Sequence, residues 1–120
     1  IFIDDKKLRK RIMSIITDST PLEDPKDWKT CNCFAIYSLI ANKDQVETMK
    51  TNYEKGGYGY GHAKQALFDL IIEKFVEERE LYNYYMNNLN EIDKALAVGA
   101  GKANKVAYDV LNRVRTKVGY

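Results

Sequence analysis

The chain contains few of the residues that catalysis and metal binding most often use. Its 120 residues include one histidine, His62, and two cysteines, Cys31 and Cys33. A zinc site usually needs four ligands, which one Cys-x-Cys pair and a lone histidine do not supply, so we expect no metal. The serines fall in no nucleophile-elbow pattern, and no base lies within sequence reach of them. The residues alone therefore predict a binding module without catalytic groups.

Long hydrophobic runs are also absent. No apolar stretch approaches the roughly 20 residues needed to cross a bilayer, and no segment resembles a secretory leader. Two cysteines one residue apart are too close to staple a fold, and reduced thiols are usual in the cytosol. We therefore expect a cytoplasmic protein with no membrane partner. The chain starts with Ile1 rather than methionine, and we interpret it as a piece of a longer protein.

Strand-like alternation is missing beyond the first three residues, whereas helical spacing of apolar residues is frequent. The composition, 45% hydrophobic and 30% charged with only two prolines, is typical of one globular domain. Cap signals and periodicity predict helices that begin after Asp4 or Asp5, near Cys31, after Asn42, near Gly61, and after Asn88 or Asn90. We therefore predict an all-α bundle of about five helices over residues 1–120.

The sequence also makes specific predictions about individual helices of this bundle. The first helix should carry Ile15 and Ile16 on its apolar stripe and stop at Thr17. The fourth should run unbroken to about Met86. The apolar helix CNCFAIYSLIA, residues 31–41, should lie at the centre of the assembly. The last helix has small residues every four positions, and we expect this ridge to pack against the fourth helix.

The segment GGYGYGHAK, residues 56–64, separates two helical patterns. Glycines this dense mark a shaped turn. A glycine turn that feeds a helix start can present backbone N–H groups to a phosphate, or it can be a corner against which tyrosines pack. The segment lacks the strand and spacing of a dinucleotide fingerprint and the Gly-Lys-Ser/Thr ending of a P-loop. The sequence leaves both interpretations open.

Charge is distributed unevenly although the net charge is only +2. Basic residues crowd both ends of the chain, whereas acidic residues occupy the middle. The ends would form one basic surface if they met in space, but solvated helix faces would explain the same counts. Likewise Tyr82, Tyr84 and Tyr85 are either half-buried packing residues or a surface that stacks bases.

Four segments together resemble a known family. They are LRKRIMSIITDST (8–20), CNCFAIYSLIA (31–41), the run from Tyr53 through GGYGYGHAKQALFDLI, and GAGKANKVAYDVLNRVRTKVG (99–119). In this order they are similar to the C-terminal region of bacterial-type tryptophanyl-tRNA synthetases, which are class I aminoacyl-tRNA synthetases. The resemblance covers nearly the whole chain. In that family the region directly follows the KMSKS signature loop.

The resemblance implies a parent enzyme that activates tryptophan with ATP and magnesium and transfers it to tRNA(Trp). It further implies a homodimer with a Rossmann catalytic domain followed by a helical anticodon-binding domain. This chain has neither the HIGH nor the KMSKS motif. We therefore expect residues 1–120 to be the helical domain alone, without a cofactor and inactive by itself.

The resemblance also suggests which side chains face tRNA. Basic residues would contact phosphates, while tyrosines and Arg79 would read unpaired bases; the candidates are Lys64, Arg79, Tyr82, Tyr85, Lys102, Lys105, Arg113 and Lys117. Lys64 could instead form an ion pair at its helix start. A second basic group adjoins the missing signature loop and would brace that loop or the acceptor arm: Lys6, Lys7, Arg9, Lys10 and Arg11. The competing hypothesis is a helical module that docks a protein partner.

Overall fold

The computed structural model describes residues 1–119, and all its regular elements are helices. They are α1 (Asp5–Met13), α2 (Asn32–Ile40), α3 (Lys43–Lys55), α4 (Tyr60–Lys74), α5 (Val76–Asn87) and α6 (Leu89–Val118). The all-α class is confirmed, with six helices in the described residues rather than about five. The chain divides into two compact units, residues 1–79 and residues 80 onward.

Helix ends follow the local signals in the sequence. Asp4 caps α1, since its carboxylate accepts a bond of 2.9 Å from the Lys7 amide. Asn42 and Gln45 form a reciprocal capping box at α3, with both bonds 2.9 Å long. Gly119 ends α6 in the left-handed conformation, which glycine adopts without a Cβ penalty. These predictions are confirmed.

The end of α1 was predicted wrongly. The helix stops at Met13, and the Ser14 hydroxyl donates to the Arg11 carbonyl over 2.7 Å. A serine that bonds a nearby carbonyl competes with helix continuation. Ile15 and Ile16 therefore lie beyond the helix, and Ile16 is 82% exposed. Apolar spacing alone does not detect such a stop.

The predicted fourth helix is two helices. Phe75 has φ −110° and ψ 25°, outside helical values, and separates α4 from α5. Its ring packs against the core of the first unit. No proline or glycine stands at this position, so the usual sequence signals for a break are missing.

The core of the first unit forms where α4 packs on α1 and α2. Its most deeply buried side chains include Cys33, Tyr53, Ala63 and Leu67. The α2 helix was expected to be surrounded, but it buries only one face. Leu39 on its other side is 85% exposed. The apolar composition of α2 correctly indicated that this helix contributes to the core. It did not indicate that one face of the helix is exposed.

The glycine turn is a corner against which a loop packs. Gly56 and Gly57 both have φ +73°, and the Gly57 amide donates to the Leu22 carbonyl over 2.9 Å. A Cβ on Gly56 would stand 2.2 Å from the Glu23 carbonyl oxygen. This close approach of two backbones explains the requirement for glycine. The packed corner is thus the interpretation that the contacts favour.

Lys26 closes the same loop from inside. Its side chain is buried, and its ammonium donates to the carbonyls of Pro21, Leu22 and Asp24 over 2.9, 3.2 and 3.1 Å. The ammonium also lies 5.5 Å from the centre of the Tyr60 ring. A buried ammonium is tolerated when carbonyl dipoles replace its hydration. Lys26 therefore links three backbone carbonyls of the loop 21–26.

In the second unit the described side chains are largely exposed. Only Asn88 and Ile92 are half-buried. The Tyr84 hydroxyl donates to the Glu91 carboxylate over 2.7 Å, and the Asn88 amide donates to the Tyr84 carbonyl over 2.8 Å, so local bonds shape the junction between α5 and α6. The packing of the small-residue ridge against the fourth helix stays a prediction. None of the described helices is both long and apolar enough to cross a membrane.

The two thiols give a prediction. Burial raises the pKa of Cys33 to about 11, and its side chain is 1% exposed. At pH 8 its thiolate fraction should be lower by roughly a hundredfold than that of a free thiol. A Cys31→Ala variant, which keeps only Cys33, should therefore react with Ellman's reagent quickly in urea and very slowly when folded.

The same raised pKa makes stability depend on pH. The fold favours the thiol of Cys33 over its thiolate, and this preference contributes fully to the free energy of unfolding below the unfolded pKa, 9.0. The contribution is lost as the pH rises towards about 11. The free energy of unfolding should therefore fall over that interval, as followed by urea titrations.

For the labelling experiment, rapid reaction of the folded Cys31→Ala variant with Ellman's reagent would contradict the burial of Cys33.

Candidate nucleic-acid interface

The first candidate surface is the outer face of α1. Leu8 and Ile12 face the core, so helical spacing directs the basic residues of α1 outward. All five are exposed in the chain: Lys6, Lys7, Arg9, Lys10 and Arg11. Their predicted role beside the signature loop stays a prediction.

These five cations differ in their partners. Lys7 forms an exposed ion pair of 3.2 Å with Asp4, and Arg9 donates to the Gln65 side chain on α4 over 2.9 and 3.2 Å. Lys7, Lys10 and Arg11 line a cleft of about 350 Å³ together with Ile3 and Ser14. Arg9 therefore links two helices, whereas Lys10 and Arg11 present charge at a concave surface that suits an anion.

Lys64 was predicted to contact phosphate or to form an ion pair at its helix start. Its ammonium instead donates to the Met13 carbonyl over 3.2 Å. Met13 is the last residue of α1, where carbonyls lack helical partners. Lys64 thus ties α4 to the end of α1, and a tRNA contact from this residue stays a prediction.

Arg79 was predicted to read a base. Its guanidinium donates to the carbonyls of Ile1 and Ile3, the latter over 3.3 Å, and pairs with the Asp5 carboxylate. The side chain is only 16% exposed. Arg79 therefore clamps the N-terminal segment, and base contact by its guanidinium would require these bonds to break.

The second candidate surface lies on α6. Lys102, Lys105 and Arg113 are exposed. At about 100° per residue they fall within about 80° of one another and about 100° to 180° from Leu96 and Val114, with Asp109 among them. Lys117 lies nearer the edge of that apolar stripe. A helix with one cationic face and one apolar face can contact two different partners. The basic face is the one that suits RNA phosphates.

The tyrosines precede this helix. Tyr82 and Tyr85 are each 40% exposed. The Tyr84 and Tyr85 rings lie edge to face, with centres 5.4 Å apart. The hydrogen bond to Glu91 raises the pKa of Tyr84, so this hydroxyl stays protonated. The second unit therefore contains Tyr82 and Tyr85 together with the four cations Lys102, Lys105, Arg113 and Lys117, whereas Lys64 and Arg79 belong to the first unit.

A further cleft was missed from the sequence. It has a volume of about 330 Å³ and is lined by Ile16, Thr17, Asp18, Thr30, Cys31, Asn32 and Tyr60. The Tyr60 hydroxyl and the Thr20 amide both donate to Oδ1 of Asp18, over 2.7 and 3.0 Å. The sequence had shown Asp18 only as part of a helix stop. Its partner Tyr60 is 42 positions away, and no local pattern signals the pairing.

Two ionisable groups in this cleft, Asp18 and Tyr60, have shifted pKa values. The hydrogen bond from Tyr60 lowers the pKa of Asp18, so its carboxylate is ionised at neutral pH. Burial and the adjacent carboxylate raise the pKa of Tyr60 to about 12, so its hydroxyl remains a donor. Among the described residues no cluster of three or more histidine, cysteine or acidic side chains could hold a metal.

Comparisons with known proteins agree with the resemblance seen in the sequence. No protein-family model matches the chain. A tryptophan–tRNA ligase from Campylobacter jejuni (strain RM1221) is 42% identical over 119 residues, which cover 99% of this chain and 37% of the relative. A tryptophan–tRNA ligase from Rhodopirellula baltica is 40% identical over the same shares. The chain thus spans little more than a third of the curated relatives that it matches.

Solved structures show the same relation. The crystal structure of tryptophanyl-tRNA synthetase from Campylobacter jejuni matches with a TM-score of 0.93 and 42% identity, over 100% of this chain and 39% of that one. The structure of the same enzyme complexed with ADP and tryptophan gives a TM-score of 0.94. In fold and in sequence the chain therefore resembles the aminoacyl-tRNA synthetases. Within that class it is homologous, along almost its whole length, to one region of the tryptophan–tRNA ligases.

Proposed function

We propose that this chain is the anticodon-binding, C-terminal part of a tryptophan–tRNA ligase. The observation that carries the proposal is the match to the Campylobacter jejuni enzyme over the full chain at 42% identity and a TM-score of 0.93. The parent enzyme would act in the cytoplasm as a homodimer. With ATP and magnesium it would activate tryptophan and attach it to tRNA(Trp).

The role of this part is to hold tRNA rather than to perform chemistry. The chain has no HIGH or KMSKS motif, so activation of tryptophan belongs to the rest of the parent. The exposed cations Lys102, Lys105 and Arg113 supply attraction for phosphate, and the half-exposed rings of Tyr82 and Tyr85 offer faces on which unpaired bases can stack. The cationic cleft at Lys10 and Arg11 offers a second phosphate contact.

Binding to transcribed tRNA(Trp) tests this proposal. The chain should bind the tRNA with an affinity that falls steeply between about 50 and 200 mM salt. It should prefer the native CCA anticodon to altered copies, and it should show no tryptophan-dependent turnover of ATP. Equal affinity for tRNA with the native and with altered anticodons would contradict base recognition by this domain. No binding at low salt would contradict a tRNA-binding role for the chain on its own.

A second candidate function is docking of a protein, which the exposed apolar stripe of α6 favours. Leu96, Val106, Val110 and Val114 are all exposed, and apolar stripes on helices commonly pack against other helices. This function predicts self-association that depends on protein concentration and hardly on salt. A monomer mass in light scattering at all accessible concentrations would exclude the self-association form.

A further inference from the structure

A cleft beside α3, here called the α3 cleft, contains two tyrosine hydroxyls that have no partner in the protein. Tyr37 of α2 and Tyr58 of the glycine turn both line it. Its volume of about 330 Å³ lies at the small end of ligand sites in proteins, roughly 300–1,000 Å³. Tyr37 is only 8% exposed, yet within residues 1–119 neither hydroxyl forms a hydrogen bond. Buried polar groups are nearly always paired, so both hydroxyls call for a partner from outside the protein.

The two hydroxyls can donate to such a partner. Among the described residues no fully enclosed side-chain nitrogen or oxygen lacks a hydrogen bond, so the Tyr37 hydroxyl, which lacks one, reaches solvent. Burial raises the pKa of Tyr37, and burial followed by the nearby Tyr37 raises the pKa of Tyr58. Both phenols therefore stay protonated at neutral pH.

The charge of the α3 cleft excludes ionic ligands. Asp44 is the one charged side chain among the described residues that line it. A carboxylate or phosphate here would lose hydration without gaining an opposite charge. An ammonium group has donors only and would leave both hydroxyl protons unpaired. The α3 cleft therefore suits an uncharged ligand, unlike the basic surfaces described above.

One further polar side chain in the α3 cleft is available to a ligand. Asn42 and Gln45 are joined in the capping box, and the Thr48 hydroxyl donates to the Asp44 carbonyl over 2.8 Å. The Asn52 side chain also lines the cleft and forms no hydrogen bond within the described residues. Its amide offers an acceptor oxygen as well as donors.

The remaining wall is apolar, since Met49, which is 4% exposed, and Ala66 line the cleft. We propose that the α3 cleft binds a small uncharged carboxamide carried on an aromatic ring. The ligand carbonyl, which has two lone pairs, accepts from Tyr37 and Tyr58. Its amide N–H donates to Asn52, and its ring packs on the apolar wall. This site goes beyond the proposed function, because it involves no tRNA.

Titration of the whole chain with benzamide tests the inference. Benzamide has about nine non-hydrogen atoms, for which a dissociation constant in the millimolar range is expected. In nitrogen–proton correlation NMR spectra, the largest shifts should surround Tyr37, Asn52 and Tyr58. Benzoate has the same ring with a negative charge, and it should bind more weakly by roughly tenfold or more.

Single-hydroxyl variants identify the donors. Tyr37→Phe and Tyr58→Phe should each weaken benzamide binding by roughly fivefold, the effect of about one hydrogen bond. Because neither hydroxyl has a partner in the protein, both variants should melt at the wild-type temperature or above it. Tyr108→Phe, which removes a hydroxyl from an exposed ring of α6, is the matched control and should bind benzamide as wild type does.

Three results would each overturn the inference. They are no shifts at the cleft up to about 20 mM benzamide, equal affinity for benzoate, and unchanged binding by both cleft variants. The first would mean that water alone satisfies the hydroxyls. All three would leave the proposed function standing, since that function is tested by binding to tRNA(Trp), and failure there would leave the carboxamide site intact.

Discussion

Replacing Gly56 with alanine should destabilise the first unit by about 3 kcal/mol, the largest stability effect that we expect from a single methyl group. Gly56 has φ 73° and ψ 174°, a region that is essentially restricted to glycine and costs other residues of order 1–3 kcal/mol. The new Cβ would also meet the Glu23 carbonyl oxygen at 2.2 Å. Both the turn and the loop 21–26 would have to move. Urea titration followed by circular dichroism measures the loss.

Two other glycines are matched controls. Gly57 shares φ +73°, but its Cβ would meet nothing within 4 Å, so Gly57→Ala should cost only the backbone strain, about 1 kcal/mol. Gly61 lies in α4 in open space, and Gly61→Ala should stabilise by about 0.5 kcal/mol. Equal losses for Gly56→Ala and Gly57→Ala would show that the contact with Glu23 does not matter.

Reversing the charges of Lys102, Lys105 and Arg113 to glutamate should weaken tRNA binding by roughly a hundredfold at low salt. These exposed side chains form the cationic face of α6. A phosphate that the protein no longer neutralises keeps its counterions, so the counterion release that drives binding becomes smaller. The slope of log affinity against log salt concentration should therefore become shallower by about 2. Filter binding at four salt concentrations measures both quantities.

The control reverses three exposed lysines of the first unit, Lys43, Lys55 and Lys74, so that the net charge changes equally. That variant should lose far less affinity, because its lysines lie outside the proposed surfaces. The same loss in both triple variants would mean that binding follows net charge alone. The α6 face would then have no special role in holding tRNA.

The capping groups show how much of the fold could be predicted. Asn42 and Gln45 are three residues apart, and their reciprocal bonds depend only on local backbone geometry. The same holds for Asp4 at α1 and Gly119 at α6. The break at Phe75 was not predictable, because no proline or glycine marks the position, and the packing of its ring against the core of the first unit cannot be inferred from local sequence.

The candidate site divides in the same way. The basic residues of α1 and α6 could be assigned to surfaces from their spacing, since helix geometry alone orients them. The roles of Lys64 and Arg79 could not, because each depends on a carbonyl or carboxylate more than 50 positions away. Nor could the cleft at Asp18, where the carboxylate and the Tyr60 hydroxyl meet only after α4 packs on α1.

The sequence by itself determined the all-α class, the helix caps, the basic faces and the kinship with tryptophan–tRNA ligases, because these depend on interactions within one helical turn or on residue identity. The tertiary structure alone decided that Lys26 is buried among three carbonyls, that Gly56 touches Glu23, and that Asp18 is oriented by Tyr60. Such contacts join distant positions, and their geometry is set by how the helices pack.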